Sequence, residues 1–182
     1  MRNLIALAFA AFLFSTSAAA QIPTKGNVYF GYSYYNTNLS SIDRGNLNGW
    51  NGSLEGKFLP WVGLVADFSG NYGSQNFPAV CITGPCPSIN SNVSVHNFLF
   101  GPRLSVSVSK FTPFVHVLIG ASHVKTNGFG SDTSFGDAVG GGLDYRLFHI
   151  IAWRFQGDYV NTRFFSSTQN NLRLSTGLVL RF

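Results

Sequence analysis

Apolar and polar residues alternate with a period of two along most of this chain, and Asn, Gly, Ser and Pro interrupt the alternation at regular intervals. Successive side chains of a β-strand point to opposite faces, so each alternating segment predicts a strand with one apolar face. Eight such segments follow one another, and their apolar faces span Val28–Tyr34, Trp50–Phe58, Val62–Tyr72, Phe98–Leu104, Val115–Ala121, Val139–Leu147, Ile151–Tyr159 and Leu172–Phe182.

The opposite face of the predicted strands carries ionisable side chains. Four acidic and six basic residues lie there by their spacing: Glu55, Asp67, Asp144, Asp158, Lys57, Arg103, Arg146, Arg154, Arg173 and Arg181. His116 alternates with Val115 and Val117 and is predicted to join them. Because an ionised group is costly to bury among apolar side chains, the charged face must enclose a polar lumen and the apolar face must point outward.

An outward apolar band is favourable in lipid, where only helices and closed barrels satisfy every backbone hydrogen bond. Charged residues make up only 10% of the chain and aromatic residues 15%, whereas a soluble domain has about 25% charged residues. The fold class predicted is therefore all-β, an eight-stranded antiparallel up-and-down transmembrane β-barrel. Such a barrel is just wide enough for its own side chains, so the charged set predicts a packed ion-pair network in the lumen.

The predicted connections alternate between short and long. Tight turns are expected at Pro60, Val106–Lys110 and Phe148–His149, and long loops at residues 36–46, 73–92, 125–132 and 161–170. In outer-membrane barrels the long loops face outward, which predicts that both termini lie in the periplasm. Aromatic side chains are expected in two interfacial girdles. One is predicted from Trp61, Phe111, Phe148 and Phe182, the other from Tyr34, Tyr35, Trp50 and Tyr72.

Residues 1–20 are predicted to be a signal peptide, which leaves the barrel domain at residues 21–182. Arg2 precedes an apolar run from Leu4 to Phe14, and small residues follow it. In an exported chain, the closely spaced Cys81 and Cys86 predict a disulfide within the longest loop, and they give too few ligands for a metal site. That loop is the predicted place for a specific surface activity. The net charge of +5 comes without a basic cluster, so nucleic-acid binding has no support.

The segments NFLFGPRLSV, TPFVHVLIGASHV, GDAVGGGLDYRL and LRLSTGLVLRF resemble the outer-membrane protein A/X-type family of eight-stranded β-barrels. The resemblance covers the whole predicted barrel domain. The chain is expected to lack the peptidoglycan-binding domain that follows the barrel in outer-membrane protein A. It implies assembly by the barrel-assembly machinery, with Phe182 as part of the signal that this machinery reads. It also implies an interior ion-pair network that blocks or gates conduction, for which Glu55, Lys57, Arg103 and Arg154 are the first candidates.

The function predicted is a structural or surface-interaction role in adhesion or envelope integrity, carried by a monomer without a cofactor. Its expected partners are outer-membrane lipid and lipopolysaccharide, and an extracellular ligand at the long loops. A low-conductance channel through the polar lumen is an alternative.

A lipid A-modifying enzyme is a further alternative, because Ser122, His123 and Asp137 lie near one rim. Ser122 and His123 are adjacent in a strand and must point to opposite faces, so Ser131 or Ser134 would have to serve as the nucleophile. The run Gly140–Gly142 lacks the following helix that a phosphate loop needs, and it predicts relief of crowding in the wall.

Overall fold

The computed structural model describes residues 25–39, 43–78, 88–128 and 130–182. Its strands are β1 (Gly26–Thr37), β2 (Gly45–Lys57), β3 (Val62–Pro78), β4 (Ser88–Ser105), β5 (Phe111–Thr126), β6 (Gly130–Arg146), β7 (Ile151–Thr162) and β8 (Gln169–Arg181). A 3₁₀ turn, Phe164–Ser166, precedes β8. No helix in these ranges has the length and apolar character needed to cross a membrane. The predicted signal peptide, Cys81 and Cys86 lie outside the described residues.

The eight strands form one closed barrel in which each strand pairs antiparallel with its neighbours in sequence. The first and last strands close the ring, from the pair Asn27 and Arg181 to the pair Asn36 and Leu172. Closure removes the unpaired sheet edge that lipid could not satisfy. The predicted fold class, strand count and up-and-down topology are confirmed.

The outer wall of the barrel is a band of large apolar side chains. Phe30 is 65% exposed and Phe100 60%, and the other outward aromatic and branched residues of all eight strands are similarly uncovered. Tyr35 is an exception to the predicted girdles, because its side chain is fully buried inside the barrel. Tyr34 and Tyr35 are consecutive in β1, and adjacent residues of a strand cannot both face outward.

The two ends of the barrel differ. At the end called here the turn end, short connections join β2 to β3, β4 to β5 and β6 to β7. At the other, the arm end, the predicted long loops at residues 73–92 and 125–132 are wrong in extent. The β3–β4 ladder continues to the pair Pro78 and Ser88, and β5 and β6 pair up to Thr126 and Gly130. These Asn-, Ser- and Gly-rich segments have loop composition, but their backbones pair with each other.

The β3–β4 hairpin projects above the rest of the wall. The ladder between β2 and β3 ends at Tyr72, and β4 begins to pair with β5 only at Val93. Residues 73–78 and 88–92 therefore form a two-stranded ribbon, here called the arm. The base of the arm still contacts the wall, because Gln75 Nε2 donates to the backbone oxygen of Asp43 at 2.7 Å and Ser91 donates to that of Asn127.

Candidate functional site

The deepest charged group in the lumen centres on Arg173 of β8. Its Nη1 atom donates to Asp67 Oδ1 at 2.6 Å, and its Nε atom donates to Asp158 Oδ2 at 2.8 Å. The other oxygen of Asp158 is 2.7 Å from His116 Nε2. All four side chains are buried. These contacts connect four strands, β3, β5, β7 and β8, across the lumen.

A second charged group lies nearer the turn end and is continuous with the first. Arg103 contacts His116 Nδ1 at 3.3 Å and Glu55 Oε2 at 3.1 Å. Arg154 forms a bidentate ion pair with Asp144, in which Nε donates to Oδ1 at 2.7 Å and Nη2 donates to Oδ2 at 2.9 Å. Such paired bonds fix orientation as well as charge. Asn27 joins the two ion pairs, because it donates to Glu55 and accepts from Arg154.

Phe114 packs among the cations of this second group. The guanidinium carbon of Arg103 lies 4.3 Å from the ring centroid of Phe114, and that of Arg154 lies 4.7 Å from it. A ring face attracts a cation within about 6 Å, so Phe114 supports both guanidinium groups without adding charge.

Eight of the predicted lumen residues are buried together: Glu55, Asp67, Arg103, His116, Asp144, Arg154, Asp158 and Arg173. Lys57 is half-buried at the turn end, where its Nζ donates to Ser105 Oγ at 2.9 Å. The Arg181 side chain is 24% exposed and lies 3.5 Å from Asp144. Arg146 was wrongly placed in the network. It ends β6 at the rim, is exposed, and donates to the backbone oxygen of Ser109.

Glycines make room for these charges. A Cβ atom built on Gly140 would clash with Asp158 Oδ1, and one built on Gly142 would lie 2.7 Å from Phe114 Cζ. Both glycines are in β6, opposite Asp158 and Gln156 of β7. The Gly140–Gly142 run therefore relieves crowding beneath the network, as its sequence context predicts.

The arm-end half of the lumen holds an apolar cluster that the sequence reasoning did not identify. Its buried members are Tyr35, Leu47, Val65, Val93, Val95, Leu99, Leu118, Val124, Ala138, Val160 and Phe164, with Leu39 and Phe77 packed against them. Neutral side chains such as Asn97 and Ser122, which hydrogen-bond at 2.8 Å, fill the space around it. The alternation itself could have identified these inward residues. Leu118, for example, lies between the outward-facing Val117 and Ile119, so its side chain must point into the lumen.

The β7–β8 connection closes the arm-end mouth with Phe164. Gln169 holds this residue at both backbone groups, accepting from Phe164 N at 2.8 Å and donating to Phe164 O at 3.0 Å. Phe165 and Ser166 follow with φ of 51° and 61°. Such left-handed conformations cost non-glycine residues energy, so the turn depends on its side-chain hydrogen bonds. The result is a buried Phe164 beside an exposed Phe165.

The side chains considered for lipid A chemistry are separated. Ser122 is buried and donates to Asn97 Oδ1, while the half-buried His123 contacts Thr133 Oγ1 at 2.7 Å through Nδ1. Asp137 accepts from Asn161 at 3.0 Å. Ser134 donates to the backbone oxygen of Phe135. Within the described part of the chain, His123 therefore has a threonine rather than a serine as its hydroxyl partner.

Comparison with known proteins identifies the same architecture. The family model described as "Outer membrane protein beta-barrel domain" matches residues 5–182. The solved structure of Neisserial surface protein A has a TM-score of 0.68 at 12% identity, covering 86% of this chain and 97% of that one. Ail, the attachment invasion locus protein of Yersinia pestis, has a TM-score of 0.58 at 17% identity, with coverages of 87% and 98%. No curated protein sequence matches the chain.

Proposed function

This chain belongs to the outer membrane protein beta-barrel domain family, and we propose that it acts at the cell surface as a filled, non-conducting barrel that presents the arm for adhesion. The observation that carries the proposal is the arm itself, a paired ribbon at the end of the barrel whose lumen is filled by the apolar cluster. Functional residues concentrate on projecting segments held by a rigid scaffold. The ion-pair network and the apolar cluster supply that rigidity.

A filled lumen favours a surface role over transport. The apolar cluster occupies the arm-end half of the lumen, and an apolar constriction excludes water and ions by dewetting. The ion pairs that Arg173 and Arg154 form below it are short, which leaves these side chains little freedom to move aside for a solute. The proposal also includes no catalytic step, because the serine and histidine side chains near the rim have other partners.

One of the similar structures contains a bound ligand, which supports a surface role for this chain but not the same ligand. Ail has been solved in complex with the heparin analogue sucrose octasulfate. Here the cations near the arm end, Arg44, Lys125 and Arg163, are matched in number by the acids Asp43, Asp132 and Asp137 among the described residues. A sulfated glycan needs a cationic patch, so we propose a ligand that is not a polyanion.

In this proposal the arm end faces outward, and the turn end and both termini face the periplasm. The barrel is a monomer in contact with outer-membrane lipid and lipopolysaccharide. Phe182, exposed at the turn end, is the terminal residue that we propose the barrel-assembly machinery reads.

The test is adherence of bacteria that express the full chain to cultured epithelial cells. In the variant, residues 75–91 are replaced by Asn-Gly, which joins the paired residues Ser74 and Asn92 by a two-residue hairpin turn. We expect the variant to reach the outer membrane, to shift on a gel when heated, and to lose adherence. The matched control Phe77→Ala keeps the arm but removes its packing on the apolar cluster, and it should still adhere.

Equal adherence of the wild type and the arm-shortened variant would contradict an adhesive arm. Sensitivity of the same cells to bile salts measures the envelope-integrity role separately. Loss of resistance in the arm-shortened variant, with adherence unchanged, would assign the barrel to envelope integrity instead.

A further inference from the structure

The turn end of the lumen opens into a cavity that the adhesive role does not use. This cavity, here called the vestibule, has a volume of about 450 Å³ and is walled by Lys57, Ser105, Thr112, Arg181 and Phe114, among others. Small-molecule sites have volumes of about 300–1,000 Å³. Because the apolar cluster fills the opposite half of the lumen, a solute reaches the vestibule only from the turn end.

The vestibule carries an excess of positive charge. Its lining includes five cationic side chains, Lys25, Lys57, Arg103, Arg154 and Arg181. It includes two carboxylate side chains, Glu55 and Asp144, and the terminal carboxylate of Phe182. The deeper Arg173 is already shared by Asp67 and Asp158 and contributes no free cation. Low-dielectric walls focus such a field, so the vestibule attracts anions.

Two of these cations lack a full ionic partner. Lys57 donates to the neutral hydroxyl of Ser105 and forms no ion pair among the described residues. Arg181 reaches Asp144 only at 3.5 Å, because Arg154 already occupies both oxygens of that carboxylate at 2.7 and 2.9 Å. Behind them, the buried Nε of Arg103 has no hydrogen-bond acceptor within the ranges described. Unused donors of a buried arginine are costly, and a bound anion would satisfy them.

The unpaired cations are arranged on one wall. Lys57 ends β2 and Arg181 ends β8, and both strands pair with β1. Strands are spaced by about 4.8 Å, so the two side chains start roughly 10 Å apart. Lys57 reaches Ser105 of β4 and Arg181 reaches Thr112 of the next strand, β5, and both hydroxyl residues line the vestibule. A lysine supplies a point charge and an arginine a planar fork, the combination that suits a tetrahedral oxyanion.

We propose that the vestibule is a binding site for a phosphate group, held by Lys57 and Arg181 with Arg103 behind them. The two cations with incomplete ionic partners favour a phosphate group, which offers acceptor oxygens in several directions, over a single planar carboxylate. The phosphate belongs either to a small dissolved compound or to the headgroup of a phospholipid at the turn-end rim. This site is independent of the arm, and loss of either function leaves the other unchanged.

The first experiment is calorimetric titration of the full chain with inorganic pyrophosphate, at low salt, in octyl glucoside, a detergent that contains no phosphate. We expect saturable binding with one pyrophosphate per barrel. Lys57→Gln and Arg181→Gln should each weaken it about tenfold or more, as the loss of a charged hydrogen bond requires. Lys57→Arg keeps the charge and should retain binding. The matched control Lys125→Gln removes an exposed cation near the other end and should change nothing.

Each variant is first checked for the gel shift of a folded barrel, so that a folding defect is not read as lost binding. Absence of saturable binding to the wild type would overturn the proposal. If Lys125→Gln and Lys57→Gln weakened pyrophosphate binding equally, the proposal would also be overturned. Such a result would indicate diffuse charge attraction rather than binding at a site.

Two nanodisc compositions then distinguish the sources of the phosphate. A dissolved ligand predicts the same pyrophosphate affinity in phosphatidylcholine nanodiscs with and without phosphatidylglycerol. A headgroup ligand predicts weaker pyrophosphate binding when phosphatidylglycerol is present, through competition for the same cations. Either result supports the site and identifies its occupant.

Discussion

At the scale of single residues, Arg173 is the side chain on which the deepest part of the lumen depends. It neutralises two buried carboxylates from different strands, Asp67 and Asp158. Asp158 in turn holds His116, which accepts from Arg103 through its other ring nitrogen if Nε2 carries the proton. Arg173 and Arg103 are thus linked through the carboxylate of Asp158 and the ring of His116.

Arg173→Met is expected to lower the free energy of unfolding by about 3–5 kcal/mol, because it strands two carboxylates in the interior. The measurement is urea-induced unfolding in lipid vesicles, followed by tryptophan fluorescence. Arg146→Met is the matched control, since Arg146 is exposed at the rim. That change should stay within about 0.5 kcal/mol. Similar losses from both substitutions would contradict the buried network.

At the scale of elements, the β7–β8 connection shows how side chains hold a backbone in place. Phe165 and Ser166 adopt left-handed conformations. The backbone N–H of Phe165 also donates to Asp132 Oδ2 of β6 at 2.6 Å. The turn is therefore fixed from both neighbouring strands, and it places Phe164 in the mouth of the barrel.

Gln169→Ala is expected to destabilise this turn by about 1–3 kcal/mol, because it leaves the buried N–H of Phe164 without an acceptor. The C=O of Phe164 loses one donor and keeps the backbone N–H of Ser167 at 3.0 Å. The consequence is local opening, which limited proteolysis measures as faster cleavage within residues 163–168 while the remaining barrel stays resistant. The exposed neighbour Asn170 provides the control Asn170→Ala. Unchanged cleavage of the Gln169 variant would show that the turn does not depend on this side chain.

The arm shows where sequence reasoning stops at the scale of elements. Alternation predicted the parts of β3 and β4 that lie in the wall, because lipid on one side and charges on the other impose it. It did not predict the pairs Ser74–Asn92 and Asn76–Asn90. Such residues are typical of loops, and only a partner strand of matching register makes them a ribbon. The pairing depends on how the two segments fit each other, and the composition of either segment alone does not reveal it.

At the scale of the whole molecule, the lumen divides into an apolar half and a charged half. The charged half was predictable, since Asp67, Arg154 and Arg173 have no acceptable place in lipid. The apolar half was not, because inward residues such as Leu47 and Val95 resemble those that face the membrane. Which carboxylate pairs with which cation was equally beyond the sequence, because it depends on distances across the closed barrel.

We expect no discrete current steps when the full chain is inserted into planar bilayers at high salt. The apolar cluster is the barrier, so Arg154→Gln, which alters only the charged half, should leave the baseline unchanged. Detergent-only fusions and an inserted 16-stranded porin serve as the negative and positive controls. Discrete steps from the wild type would contradict the filled lumen, and their loss on Arg154→Gln would identify a charged conduction route.

The network also constrains the order of assembly. Arg173 of β8 bonds to Asp67 of β3, and Arg154 of β7 bonds to Asn27 of β1. These partners come into contact only when the last strands pair with the first and close the ring. An open sheet of the same sequence would present its charged face to the hydrocarbon of the membrane, and burying charged groups there is energetically costly. We therefore expect membrane insertion and ring closure to happen together, as one cooperative event rather than strand by strand.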